Sequence, residues 1–519
     1  MAEPVRPAIC AICAIAAVAA AVCLTLAAAC SGPGPGAAGA SPGSRPAPAQ
    51  DVVDEAVRAV GGRAAVEAAT SLVLEGTGQA FFLGQSREPD GEPLGLEITR
   101  FRRVIDLAGG RWREEADWTP RYPTGYPAPR HMVTAVDGAV GYDIAADGPA
   151  TRSSAADARD RRNDVMHSPL GILRAALAPG AVVSHRRRAD GRDEVDVRAG
   201  GATFTLAVDP ATGLPAQVRS MTDQPNLGDV EVVTEFSDYR PAGALMLPTR
   251  ITQRMDRELL SDLRVSRSVA GQAAETDLAA IAAPEAVRES PPPPAPPRVT
   301  VDRLAPGVWL LNGEGHHSVV VELADHLTLI EAPMDDARTL AVIAQARQLQ
   351  PAKPLTHAVM THHHLDHSGG VRAAVSEGLT IIAHEKAARF VEDMVARRHT
   401  IAPDALARRP RPLKLEVVSD RTVMRDSLRS MELHALDTAH ASTMLVAYLP
   451  AERLLVQVDL YTAPADGAPP PTWYPFAGPL VRAMQAQKMS VDRIVSLHRS
   501  IVSYADLVAA AGKPEPAAP

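Results

Sequence analysis

Beyond residue 30 the chain contains no cysteine: all four, Cys10, Cys13, Cys23 and Cys30, lie at the start of its 519 residues. That excludes from the folded body a disulfide framework, a catalytic thiol and a cysteine-ligated structural zinc. Long basic runs are missing too, and the formal net charge is -8. The electrostatic footprint of a nucleic-acid binder is therefore absent, and nucleic acid is set aside as a partner. Histidine is scarce in the first half: of 16, only His131, His167 and His185 precede the proline-rich break at 290–297. Chemistry is to be sought after that break.

What is present is globular in character, with 46% hydrophobic and 22% charged residues. The length suits two or more domains with their own cores. Arg6 precedes an apolar stretch from Ala8 to Ala29, and Ser31 to Gln50 is rich in Pro, Gly, Ala and Ser, which reads as an export signal followed by a flexible tether. Leu26-Ala27-Ala28-Ala29-Cys30 resembles the lipobox of bacterial lipoproteins, with the leucine one residue earlier than usual. The resemblance implies lipidation of Cys30 and a membrane-tethered protein of the cell envelope. The apolar run also meets the length of roughly 20 residues that an uncleaved transmembrane anchor needs, and a plain cleaved signal is the third reading. All three place the body outside the cytoplasm.

Consecutive prolines in Ser290-Pro291-Pro292-Pro293-Pro294-Ala295-Pro296-Pro297 fix φ and remove backbone donors, so this segment is extended. The expected organisation is an export signal (1–29), a tether (30–50), a β-rich domain (51–283), a proline-rich linker (284–298) and a second domain (299–519). In the first of these domains, Asp51 to Ala69 reads as helical with an interruption at Gly61-Gly62. Leu72 and Leu74, then Leu96, Ile98 and Phe101, then Val195 and Val197, then Phe204, Leu206 and Val208 alternate as half-buried strands do. Asp209 to Pro215 supplies a turn. The region loosely resembles the lipoprotein-carrier half-barrel, which implies a mainly antiparallel sheet around a groove for a hydrophobic ligand. A β-rich scaffold without ligand is the other reading, and no residue here is nominated for chemistry.

After the linker, Val308 to Leu311, Ser318 to Leu323 and Leu327 to Ile330 read as strands, and Asp336 to Gln348 as a helix. Leu355 to Met360 is then an apolar strand running into Thr361-His362-His363-His364-Leu365-Asp366-His367-Ser368-Gly369-Gly370, with a helix from Val371. Gly369 and Gly370 are expected to supply a tight turn. Neutral imidazole and carboxylate are natural zinc ligands. Residues two apart on an extended backbone point the same way, so His362 and His364 converge on one ion while Asp366 and His367 reach a second, with His363 turned elsewhere.

This H-x-H-x-D-H pattern, set between a strand and a small-residue turn, is similar to the signature of the metallo-β-lactamase superfamily. The resemblance spans about Val299 to Ala510. It implies a four-layer αββα sandwich after the antiparallel β domain, an α+β chain overall. It also implies three later ligands at strand ends, which His440, Asp459 and His498 fill in order. His440 stands in Thr438-Ala439-His440-Ala441-Ser442 where relatives show Gly-His-Thr. By the resemblance, His362, His364 and His440 hold one Zn²⁺, Asp366, His367 and His498 the other, and Asp459 lies between. Relatives carry aspartate where this chain has Glu331, so the hydrogen-bond support of the metal loop is expected to differ.

Two zinc ions about 3.5 to 4 Å apart would lower the pKa of a shared water, giving a nucleophile at neutral pH, with Asp366 helping to orient it. His364 stands where the di-iron branch has glutamate, which favours zinc, with iron or manganese left open. Family members cleave β-lactams, thioesters, lactones, phosphoesters and sulfate esters with the same metals. Asp459 resembles the glyoxalase-II-like and lactonase branches more than the true β-lactamases. The small-molecule substrate is left unassigned. Two alternatives stand beside the hydrolase: a surface lipoprotein whose β-rich domain binds a hydrophobic ligand while the metal domain is vestigial, and a mononuclear iron oxygenase of the same fold.

Overall fold

The computed structural model describes residues 49–512, apart from 122–129, 146–147, 272, 294–296, 314, 463–472 and 499–500. The expected export signal, Cys30 and nearly all of the tether lie outside the described residues, as does part of the proline linker. Among the described residues no helix is long and apolar enough to cross a membrane.

The helical stretch at the start is two helices, Ala49–Val60 and Arg63–Ala68, parted at Gly61-Gly62. Gly61 has φ +138°, and a Cβ there would stand 2.3 Å from the Ala244 carbonyl oxygen, so only glycine fits. Thirteen strands then form one sheet in which every pairing is antiparallel. The first strand, Ser71–Phe81, pairs with both the second, Gly95–Asp106, and the last, Glu258–Gly271. The sheet's free edges are Ala150–Arg152 and Val182–Ala189. Alternating residues Leu72, Leu74, Ile98 and Phe101 meet Val195, Val197, Phe204 and Leu206 in one core. Val53, Val57 and Val60 of the first helix join that core, as do Leu170, Ile172 and Leu173 of a helix at Pro169–Leu177.

The second half packs two sheets face to face. One has seven strands, Thr300–Ala305 to Leu415–Val418, antiparallel through Leu327–Ile330 and parallel from there on. The other has six, Arg421–Arg425 to Ile501–Ser503, with one parallel pair between Leu454–Gln457 and Arg493–Ser496. Val319, Val321, Ile330 and Val359 of the first sheet share a core with Leu433, Leu445, Val456 and Ile494 of the second. Helix Asp336–Leu349 covers the outer face of the first sheet through Val342, Ile343 and Ala346. Helices Ala477–Ala486 and Tyr504–Ala510 cover the second through Leu480, Met484 and Leu507. Helix, sheet, sheet and helix make four layers.

The halves are not separated by the linker. Val230 of the large sheet and Leu227, in the turn before its strand, lie in the same apolar cluster as Met360, Leu365 and Val371. The Asp229 carboxylate accepts from the backbone N–H of Thr400 at 2.8 Å and of Ile401 at 2.9 Å. The described residues form one compact unit.

Candidate metal centre

The strand Leu355–Val359 runs parallel to Leu327–Ile330 in the middle of its sheet, and its exit carries Thr361 to His364 into the crevice above the strand ends. His364 is the N-cap of a short helix, Leu365–Ser368, where the sequence pattern predicts a loop. A second helix follows at Val371–Ser376. Gly369 and Gly370 have φ of -60° and -93°, values open to any residue, so the expected tight turn is not why glycine stands there. Close approach is the reason. A Cβ on Gly369 would lie 2.0 Å from the Met334 carbonyl oxygen, and one on Gly370 would lie 1.8 Å from Thr339 Oγ1.

The remaining expected ligands leave strand ends of the other sheet: His440 after Ser430–Leu436, Asp459 after Leu454–Gln457 and His498 after Arg493–Ser496. Asp459 sits at φ +59°, in the left-handed region, a conformation costing about 1–3 kcal/mol unless the surroundings impose it. The Gln457 amide imposes it. Its Oε1 accepts from the N–H of Leu460 and of Tyr461, each at 3.1 Å, and its Nε2 donates to the Tyr461 carbonyl at 2.7 Å.

All seven expected ligands come together, in two groups whose candidate donor atoms lie within 4.8 Å of one another: His362, His364, His440 and Asp459, and His316, Asp366, His367 and His498. Asp459 joins them. Its Oδ2 stands 3.4 Å from His362 Nε2, 3.2 Å from His440 Nε2 and 3.1 Å from His367 Nε2, while Oδ1 is 2.7 Å from His498 Nε2. Asp366 Oδ2 lies 3.2 Å from His367 Nε2 and 3.3 Å from His316 Nε2.

The donor set fits metal. His362 Nε2 and His440 Nε2 face one another at 3.4 Å, so two ring nitrogens aim at the same point. Buried His364 Nδ1 has no hydrogen-bond partner, which costs about 1–3 kcal/mol for a buried polar atom unless something fills the gap. Burial first, then neighbouring imidazoles, hold His362 and His364 well below the ordinary histidine value, so both are neutral and able to ligate. Burial pushes the Asp366 and Asp459 carboxyls up, but the adjacent His367, with His316 and His440, outweighs it and both stay ionised. Burial pushes His367 down, yet the carboxylates of Asp459, Asp366 and Glu331 carry it well above its usual value. Four imidazoles thus converge on the Asp459 carboxylate, a donor set in which a bound cation would take the place of a proton.

His316 belongs to the second group although the sequence reading gave it no role. No spacing to the histidine loop distinguishes it from His317 in the sequence, and it is the pairing of strands Val308–Asn312 and Ser318–Glu322 that delivers it. His363 does turn away: its Nδ1 meets Thr443 Oγ1 at 2.7 Å and its Nε2 donates to the Ser86 carbonyl at 3.0 Å. Glu331 supports the metal loop, accepting from Thr361 Oγ1 at 2.7 Å and standing 3.6 Å from His367 Nδ1. Tyr461 is wholly buried with its hydroxyl unpartnered, packed on Tyr474. The N-terminal half contributes two groups that sequence reasoning did not nominate. Gln85 Nε2 donates to Asp366 Oδ1 at 2.8 Å, and the Ser86 carbonyl accepts from His364 Nε2 at 2.9 Å.

Residues 311–498 match the family model described as the metallo-beta-lactamase superfamily. A search of curated proteins finds no match. Solved structures similar to the chain include a metallo-beta-lactamase from Pontibacter korlensis, 16% identical, covering 41% of this chain and 97% of that one with a TM-score of 0.32. A metallo-beta-lactamase from Hirschia baltica is 16% identical over 41% of this chain and 96% of its own, TM-score 0.32. FIM-1 from Pseudomonas aeruginosa, in its mono-zinc form, is 18% identical over 41% and 93%, TM-score 0.30.

Proposed function

Proceeding from a C-terminal half with the metallo-β-lactamase fold, we propose that this chain is an exported, membrane-tethered hydrolase that holds two zinc ions and cleaves an ester, thioester, lactone or related bond. The observation that carries the reading is the pair of ligand groups meeting at Asp459. His362, His364 and His440 would hold one ion, Asp366, His367 and His498 the other, with Asp459 facing both and His316 beside the second. Imidazole and carboxylate without thiolate suit zinc. When bound, such a pair supplies a water ionised near neutral pH and a Lewis acid for the scissile carbonyl or phosphoryl oxygen.

The chain's own groups prepare the site. Burial keeps His362 and His364 unprotonated, so neither has to lose a proton before ligating. His498 donates from Nδ1 to the Gly315 carbonyl at 3.1 Å, which leaves Nε2 facing Asp459. Asp366 has one oxygen tied to Gln85 and the other directed at His367, so a nucleophilic water in the crevice would be oriented by a carboxylate that cannot swing away.

Assaying the full chain against thioesters, lactones, phosphodiesters, aryl sulfates and β-lactams, with and without chelator, tests the reaction class. At least one class is expected to be hydrolysed and to stop when metal is stripped. Turnover that survives stripping would reject the reading, and oxygen consumption with one iron per chain would favour the oxygenase.

A further inference from the structure

We propose that the segment joining Ser71–Phe81 to Gly95–Asp106 in the N-terminal half is a clamp on the metal centre, with Gln85 and the Ser86 carbonyl as positioning groups for its ions. The inference rests on the two-ion reading given above.

The segment reaches both metal-bearing loops. On the first, Gln85 Nε2 donates to Asp366 Oδ1 at 2.8 Å. A carboxylate held this way is fixed in rotation, with Oδ2 facing His316 and His367. A carbonyl accepts and never donates, so the Ser86 oxygen, 2.9 Å from His364 Nε2, fixes the ring proton on that nitrogen. Nδ1, buried and otherwise unpartnered, is then the lone pair left for a ligand. The same oxygen accepts a hydrogen bond from His363 Nε2 at 3.0 Å, which holds that ring away from the centre.

The segment is held to the second loop, the one bearing His440. Ser442 N–H donates to the Arg87 carbonyl at 2.9 Å, and Arg87 Nε donates to the Thr438 carbonyl at 3.1 Å. Arg87 also pairs with Asp437, and Ser442 Oγ bonds the Glu88 carboxylate. Gly84, at φ +64°, lets the chain pass over the metal loop, since a Cβ there would lie 2.3 Å from Leu365 Cγ. Orientation of a metal ligand by hydrogen bonds from outside the ligand set is worth about 10- to 100-fold in affinity. Here those bonds come from the other half of the molecule.

The test is zinc affinity of the full chain, metal-stripped and titrated with Zn²⁺ against a chromophoric chelator. Gln85→Met keeps the length of the side chain and removes its donor. It is expected to bind one ion as the wild type does and the other about 10- to 100-fold more weakly, with the denaturation midpoint of the metal-free protein lowered by no more than the loss of one hydrogen bond explains. Gly84→Ala, which lifts the segment off Leu365, is expected to weaken both ions. Unaltered affinity for both ions in Gln85→Met overturns the clamp, as does an equal loss at both that tracks a fall in metal-free stability. A wild type that takes up no Zn²⁺ fails the two-ion reading itself.

Discussion

Asp459 faces ring nitrogens of both ligand groups, and its geometry shows how far the chain goes to present it. A non-glycine residue at φ +59° is strained, and the three hydrogen bonds of Gln457 around the Val458–Tyr461 turn hold it there. Close packing does comparable work at Gly370, whose absent side chain lets the helix Val371–Ser376 approach Thr339. The Thr339 hydroxyl is itself committed to the Pro333 carbonyl at 3.0 Å, so it cannot rotate aside without losing a buried bond. Gly370→Ala is therefore expected to lower unfolding stability by about 1–3 kcal/mol, the usual range for overpacking. The urea midpoint measures it, and an unchanged midpoint would remove the close-approach account of this glycine.

Among the elements, the helices Ala155–Met166 and Pro169–Leu177 bracket His167, which is buried against the large sheet. Its ring nitrogens meet Thr234 Oγ1 and Ser220 Oγ, each at 2.9 Å, with no charge to pair a cation. Burial pushes its pKa down to about 4. As pH falls below about 6.5 the unfolded chain takes up a proton that the folded chain refuses until about pH 4, so this histidine's contribution is full above that window and lost within it. The loss is about 3 kcal/mol. In His167→Gln that loss is gone, so the variant's stability deficit against wild type is expected to shrink between pH 6.5 and 4. A deficit constant across that range would contradict the burial argument.

The strands around the histidine loop were legible because fully buried runs such as Leu327–Ile330 and Leu454–Gln457 contrast with their polar flanks. Residue type and spacing marked the candidate ligands His362, His364, Asp366 and His367, whereas His440, Asp459 and His498 were expected only through the family resemblance. Ala155–Met166 was not legible, since only Ala158 and Val165 of its length are buried. Its Arg161 faces the sheet and bonds the Ala135 and Tyr142 carbonyls, a pairing that hydrophobic periodicity does not register. The Ser86 contact was out of reach for another reason. A backbone carbonyl has no sequence identity, and its partner His364 lies 278 residues away.

At the scale of the whole molecule, the proline-rich segment joins two sheets that share a core rather than hanging two bodies on a string. The N-terminal half reaches the metal loop through Leu227, Asn226 and the Gln85–Ser86 segment, Asn226 Nδ2 donating to the Leu365 carbonyl at 3.0 Å. The envelope location we propose has its own check: incorporation of a labelled lipid precursor is expected to require Cys30. Unchanged labelling in Cys30→Ala would contradict lipidation at that residue, and unchanged membrane retention without labelling would point instead to the apolar stretch Ala8 to Ala29 as an uncleaved anchor. The measurement that bears most directly on the central claim is zinc content by elemental analysis, taken with hydrolysis, in wild type and His364→Ala after gentle purification. The account predicts two zinc ions per wild-type chain, and in the variant no more than one, with hydrolysis lost. Less than one ion per wild-type chain, together with hydrolysis undiminished in His364→Ala, would contradict it.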